Sequence, residues 1–448
     1  ASVAQIHYTL NRLEQQGLLC EARGCDREEE AALWTVQGLD PGTAARRLAE
    51  TTVSIQAFGV DAEPLRALLQ ALNVRIATQG DLCLVVTDHY LRPELQACNK
   101  EALASGQPWF LIKPVGCEVW VGPLLLPGKT ACWECLAQRI RANRPVLDYL
   151  GRVRGDRGAP ALDVCRTPAT LAVGWGLAAN AVASFLAQGR EQPLFEGKIQ
   201  TLDLLTYRSR SHTLVKQPAC SVCGGGQRSA EESTRPLVLS HRKKTYTEDG
   251  GHRSLSPQET LDKYSDHVSS ICGIVSVLER SVPANDGVMH VYLSGNNVAR
   301  GHRDLANLRV DLRSSTCGKG TTDVQAKAGA LCEAIERYSG IYQGHERRRT
   351  ARYAELGDEV IHPHGCLLFS ARQYQERESR NTRCATYNYI PMAFDPEREI
   401  EWTPVWSLTH QAVRYLPTAL CYFDYPSEPD YDFGASCSNG NAAGNCLE

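Results

Sequence analysis

Val53-Ser54-Ile55-Gln56-Ala57-Phe58, Leu82-Cys83-Leu84-Val85-Val86-Thr87 and Trp109-Phe110-Leu111-Ile112 are short apolar runs rich in β-branched and aromatic residues, the pattern of buried strands. Helical patterns at Glu63 to Leu72 and Leu95 to Ala104 separate them, with one more strand at Val74 to Ala77. Strands alternating with helices predict a mostly parallel α/β sheet. Such a sheet normally holds a nucleotide through several glycines at its first strand-to-helix turn, but Phe58-Gly59-Val60-Asp61 offers one. The unit therefore reads as a relative of nucleotide-binding folds without the phosphate loop, used for architecture or for binding a partner.

Around this unit the chain runs to 448 residues, 43% of them apolar, which at roughly 150 residues per domain suggests about three globular units. Lys plus Arg number 48 against 51 Asp plus Glu, a formal net charge of -3, so no global field favours nucleic acid or an anionic membrane. The longest apolar stretch, Leu171 to Ala187, is rich in Ala and Gly, carries Asn180 and Ser184, and lies between a Thr167-Pro168 start signal and a Gly189 stop. It predicts a buried core helix. Residues 1 to about 25 read as a helix followed by Gly17 and a short strand Leu18 to Cys20, the look of the end of a winged-helix module. Gly224-Gly225-Gly226 and the polar run to Pro236 mark a boundary, with the last unit starting near Leu237. The chain opens at Ala1 inside a helical pattern and stops at Glu448 after a Gly/Asn-rich turn, so we expect a piece of a longer polypeptide.

Most of the 18 cysteines sit singly inside apolar runs, as in a reducing compartment. Two pairs break the scatter. Cys132-Trp133-Glu134-Cys135 and Cys220-Ser221-Val222-Cys223 are CxxC knuckles, together able to wrap one tetrahedral ion in four thiolates. A closed shell of that kind leaves no position for water, so the ion would be structural. Two unrelated buried pairs and a dithiol redox site are the alternatives. His362, His364 and Cys366 form a second, weaker cluster in a Pro/Gly loop.

Ser314-Ser315-Thr316-Cys317-Gly318-Lys319-Gly320 has the outline of a phosphate loop but fails its test, with Arg313 and Gly320 in the wrong slots. Thr322 with Gln325 then makes a capping box for a helix running to about Tyr342. On it Val324, Ala328, Leu331, Ile335 and Tyr338 recur at core spacing, while Gln325, Gly329, Glu333, Glu336 and Gly340 form an adjoining stripe. Two glycines in that stripe suggest a close approach to the backbone, which a nucleotide would make. Glu333 and Glu336 are neighbours of like charge, relieved by a divalent cation such as magnesium, with Lys319 countering phosphate charge. The alternative is a solvated face on which Arg337 is a salt-bridge partner.

The stretch Ser314 to Gly320 with Glu333-Ala334-Ile335-Glu336-Arg337-Tyr338-Ser339 resembles the nucleotide motif of the YcaO family, and Ser438-Asn439-Gly440-Asn441-Ala442-Ala443-Gly444-Asn445 is similar to its next block. Trp109 to Pro127, the Cys132 knuckle and Asn143-Arg144-Pro145 resemble the ThiF-like, zinc-binding half of fused azoline-forming cyclodehydratases. The resemblance implies a multidomain α/β and α+β chain. Its parts would be a partial winged-helix module for leader-peptide recognition at 1–47, a ThiF/Rossmann-like zinc-binding domain at 48–225, and an incomplete YcaO ATP-binding domain at 237–448. It further implies ATP-dependent cyclodehydration of Cys, Ser or Thr in a ribosomal precursor peptide.

By the same resemblance, Glu333 and Glu336 are catalytic and hold magnesium, and Ser314, Ser315, Lys319, Gln325 and Arg337 lie towards ATP. Cys132, Cys135, Cys220 and Cys223 carry structural zinc. The implied partners are a leader-bearing precursor peptide, a flavin-dependent azoline dehydrogenase and a second copy of the chain, with no nucleic acid or membrane, in the cytoplasm. A thioamide- or amidine-forming enzyme and a non-catalytic peptide-binding scaffold are the alternatives. Two departures stand out: Gly329 occupies a position where the family motif has Ser, and Glu448 precedes the family's remaining ATP-binding residues.

Overall fold

The computed structural model of the chain describes residues 2–16, 19, 27–155, 165–189, 194–224, 236–241, 243–247, 253–281, 289–296, 305, 308, 315–383 and 389–426. Leu18 and Cys20 of the expected strand, most of the Gly224 to Pro236 boundary, Ser314 and the block at 438–445 lie outside the described residues. Two compact units are present, one built on a seven-stranded sheet and one on two three-stranded sheets.

In the first unit, helix α1 (Val3–Gln15) opens with a Ser2/Gln5 capping box and buries none of its residues. Helices α2 (Glu28–Val36) and α3 (Pro41–Glu50) follow. They precede β1 (Thr52–Phe58), α4 (Glu63–Ala71), β2 (Arg75–Ile76), β3 (Leu82–Thr87), α5 (Glu94–Ser105) and β4 (Trp109–Lys113). Those strands pair in parallel in the order β2-β1-β3-β4, as the alternation of the sequence predicts. The parallel part is only half of the sheet. β5 (Glu118–Leu125), β6 (Lys198–Asp203) and β7 (Ser209–Thr213) extend it as an antiparallel meander, so "mostly parallel" is corrected to mixed.

Between β5 and β6 come α6 (Trp133–Asn143), α7 (Pro145–Arg154) and α8 (Pro168–Gln188). Among the described residues α8 is the one helix long and apolar enough to cross a membrane. Here it is a core element, with Trp175, Ala178, Val182, Phe185 and Ala187 buried against the sheet. Thr167 caps it, accepting from Thr170 N at 3.1 Å, and Gly189 ends it. A Cβ at Gly174 would lie 2.0 Å from the Pro114 carbonyl, so the small residues of α8 let two backbones meet. α2 and α3 add Trp34, Ala44 and Leu48 to the same core.

At the carboxyl ends of β1 and β3, where a sheet of this type would receive a nucleotide, Gly59 takes a positive φ of 71°. A Cβ there would sit 2.1 Å from an Arg92 nitrogen and 2.3 Å from an Asp88 oxygen. Arg92 clasps Asp88 through both arms of its guanidinium, at 2.6 and 2.7 Å. A side-chain ion pair thus rests on the single glycine of the turn, consistent with the missing phosphate loop.

The second unit contains α9 (Pro257–Tyr264), β8 (Val275–Arg280), β9 (His290–Asn296), β10 (Ser315–Gly320) and α10 (Asp323–Ser339). β8, β9 and β10 form one antiparallel sheet in the order β10-β9-β8. β11 (Arg349–Ala351), β12 (Ile400–Ser407) and β13 (Ala412–Pro417) form another, around Trp402, Phe394 and Leu356.

Candidate functional site

Helix α10 begins where the sequence places it. The Thr322 hydroxyl accepts from Gln325 N at 3.3 Å, and the helix ends at a Gly340 cap. Gly340 is therefore a terminator and not an interior glycine. Leu331 and Ala334 pack with Ile274 and Val275, with Ile335 and Tyr338 at the margin.

The ridge that meets the sheet is Ala326, Ala330 and Ala334, at i, i+4 and i+8 and all fully buried. It escapes a hydrophobic-pattern reading because alanine carries so little of that signal. Against it lies β10 with alternate residues inward: a Cβ at Gly318 would be 2.0 Å from the Ala326 carbonyl oxygen and 2.1 Å from the Ala330 nitrogen. A Cβ at Gly320 would be 2.8 Å from Gln325 Cγ. At Gly329 the neighbour of an added Cβ is Gly318 Cα at 3.5 Å. What approaches the helix backbone is thus strand β10, not a nucleotide. That corrects the expectation drawn from the two glycines: the N-terminal half of the stripe, Gln325 and Gly329, lies beneath β10.

Glu333 and Glu336 form the remainder of the stripe and are half-buried. Glu333 pairs with Arg337 at 3.5 Å, the salt bridge anticipated as the alternative reading, with about a third of the Glu333 side chain exposed (34%). The carboxylate of Glu336 has no ion-pair or hydrogen-bond partner among the described residues. Gln325 is buried, and its Oε1 has no hydrogen-bond partner.

Lys319 is exposed, and strand alternation turns its side chain away from α10, because Gly318 and Gly320 face the helix. Ser315 shares that outer face and is exposed. The structure thus brings Glu333, Glu336 and Arg337 together on α10 and sets Lys319 and Ser315 on the far side of its neighbouring strand. Hard carboxylate oxygens spaced i, i+3 on a half-buried face are the kind of donor that would hold a magnesium ion, which when bound would offset phosphate charge.

The thiol knuckles do converge. The sulfur atoms of Cys132, Cys135, Cys220 and Cys223 lie within 4.8 Å of one another, and all but Cys223 are buried. Four thiolates at about 2.3 Å from a tetrahedral zinc stand about 3.8 Å apart, so the group needs only a small contraction to close on an ion. Cys132 is the N-cap of α6 and Cys135 lies in its first turn, where the helix dipole favours thiolate.

Trp133 anchors this knuckle in the core, donating from Nε1 to the Tyr90 carbonyl at 2.8 Å and from its backbone to Asn99 Oδ1 at 3.0 Å. In the second knuckle Gly224 N donates to the Cys220 carbonyl at 2.9 Å, and a Cβ at Gly224 would lie 2.5 Å from that oxygen. No disulfide joins any of the thirteen described cysteines. The rings of His362 and His364 meet edge to face at 4.9 Å, but among the described residues they and Cys366 do not gather into a metal-holding group.

Residues 317–448 match the family model of the YcaO cyclodehydratases, described as ATP- and Mg2+-binding. The chain carries a YcaO domain. Over its whole length it is also similar to a solved heterocyclase in complex with substrate and cofactor, at 40% identity and a TM-score of 0.88, and spans 61% of that protein. Similarity to the heterocyclase TruD covers 99% of the chain and 58% of TruD, at 36% identity and a TM-score of 0.77. An uncharacterized protein of Methanothermobacter thermautotrophicus is 26% identical over 197 residues, 44% of this chain and 42% of that one. The chain thus spans about three-fifths of the heterocyclases it matches. All of α10 with its carboxylates and β10 from Cys317 onward fall inside the matched residues, and both cysteine knuckles lie before them.

Proposed function

We propose that this chain is part of an ATP-dependent peptide cyclodehydratase. The observation that carries the proposal is similarity over nearly the whole of this chain to two heterocyclases, at 40% and 36% identity. In the proposed reaction a Cys, Ser or Thr side chain of a ribosomal precursor peptide attacks the preceding amide carbonyl. That attack closes the ring, the γ-phosphoryl group of ATP passes to the resulting oxygen, and phosphate then leaves as the former amide nitrogen gives up its proton, forming the C=N bond of the azoline. An amide oxygen is a poor leaving group, and phosphorylation removes that barrier.

Within this reading Glu333 and Glu336 hold magnesium, and Arg337 orients Glu333 through their ion pair. Gln325 supports the wall of the site from beneath Gly320. Ser315 and Lys319 serve the nucleotide as it reaches around the edge of β10, and a contact from Ser314 belongs to the same proposal. The four thiolates hold zinc as a staple. The division at 1–47, 48–225 and 237–448, leader recognition by the N-terminal segment, a dehydrogenase acting on the product, homodimerisation and a cytoplasmic setting belong to the same proposal.

The test is to incubate the whole polypeptide with a leader-bearing precursor and Mg-ATP and to follow peptide mass. Each azoline removes one water, with ADP and phosphate formed in step. Gain of sulfur would select the thioamide reading, and an unchanged peptide with no ADP the scaffold reading. Glu336→Gln should abolish turnover while leaving zinc content and fold unchanged.

A further inference from the structure

Buried hydroxyl groups link α10 to its sheet at the turn that leads to the carboxylates. Ser294 on β9 and Thr316 on β10 are cross-strand partners in register, and both are buried. Their hydroxyls are hydrogen-bonded to each other, and Ser294 Oγ donates to the Ala330 carbonyl of α10 at 2.9 Å. Each hydroxyl has one proton, so the direction is fixed. Ser294 donates to Ala330, and Thr316 therefore donates to Ser294. The relay ends on the carbonyl one turn before Glu333. Two residues further along and on the same face, Gly318 meets the backbone of Ala326 and Ala330.

A helix packed by alanines on glycines is smooth and has little to fix its position along its own axis. A slip of one residue would shift Glu333 and Glu336 by about 1.5 Å and turn them by about 100°. The apolar contacts of Ala326 and Ala330 alone resist such a slip weakly, whereas a buried directional bond to one carbonyl resists it strongly.

We propose that Ser294 and Thr316 are positioning residues that set the axial register of α10, and with it the placement of Glu333 and Glu336 around the metal of the nucleotide. The inference rests on the cyclodehydratase reading above. Neither residue touches substrate; both act through the helix.

The test compares Ser294→Ala, Thr316→Val and Thr316→Ser with wild type in the whole polypeptide, titrating Mg2+ at fixed ATP and measuring ADP formation with precursor. Thr316→Val keeps the shape and loses the donor, so it decides the matter should Ser294→Ala fold poorly. Ser294→Ala and Thr316→Val should raise the half-saturating Mg2+ concentration about tenfold, as expected when catalytic groups are misplaced by an ångström or so. Thr316→Ser should restore it. Variants that melt at lower temperature but keep the wild-type Mg2+ dependence overturn the inference and leave the cyclodehydratase reading standing. A wild type that forms no ADP at any Mg2+ concentration overturns both.

Discussion

Gly318 and Gly329 face one another across the β10–α10 contact, yet their substitution by alanine should have opposite signs. At Gly318 the new methyl would meet backbone atoms at 2.0 and 2.1 Å, which no rotamer change relieves. Gly318→Ala should cost about 1–3 kcal/mol or more, as overpacking does, and should be read from a denaturant titration. At Gly329 the added methyl finds ordinary contact at 3.5 Å, and a helix-interior glycine is replaced by the best helix former. Gly329→Ala should stabilise by roughly 0.5–1 kcal/mol in the same titration. The sequence alone shows both residues as glycine. The difference lies in which side of the contact leaves room, and that depends on a strand pairing invisible to a local pattern.

Helix α10 shows how far local pattern carries at the scale of an element. Its start was legible because Thr322 has the chemistry of a cap; Thr322→Ala should cost about 1 kcal/mol, with amide exchange rising first in the opening turn. Its buried ridge was not legible, because Ala326, Ala330 and Ala334 carry too little hydrophobic signal. In the same way β1 to β4 declare themselves as apolar runs between helices, whereas β7 is exposed along Ser209, Arg210 and Ser211 and offers no periodicity.

The cysteine knuckles were legible at a distance because thiolate chemistry needs few residues and fixed spacing. If the proposal of structural zinc holds, purified protein should carry about one equivalent of zinc per chain, and Cys220→Ser should lose it together with several degrees of Tm. Metal analysis beside a thermal melt checks both.

For the whole molecule, the Asp88–Arg92 pair gives a pH dependence whose direction can be worked out. The hydrogen bond from Arg92 holds the Asp88 carboxyl below its usual value near 3.8. The unfolded chain therefore takes up this proton first as acid is added. The pair contributes stability fully above about pH 5, and that contribution fades as pH falls through the depressed folded value. Asp88→Asn should flatten the acid limb of a stability-versus-pH profile of the first unit and lower its neutral plateau by the same amount, a small one because the pair is partly exposed.

The same pair has a further consequence. A guanidinium and a carboxylate already occupy the hollow above Gly59, so a triphosphate arriving at the first sheet would have to evict both and would find one glycine to settle on. Calorimetric titration with a non-hydrolysable ATP analogue should therefore saturate at one equivalent per polypeptide, and Arg92→Ala should leave that stoichiometry at one. The larger sheet has the outline of a vault whose door is fastened from within, and under the proposed function the nucleotide is handled by the unit that carries α10.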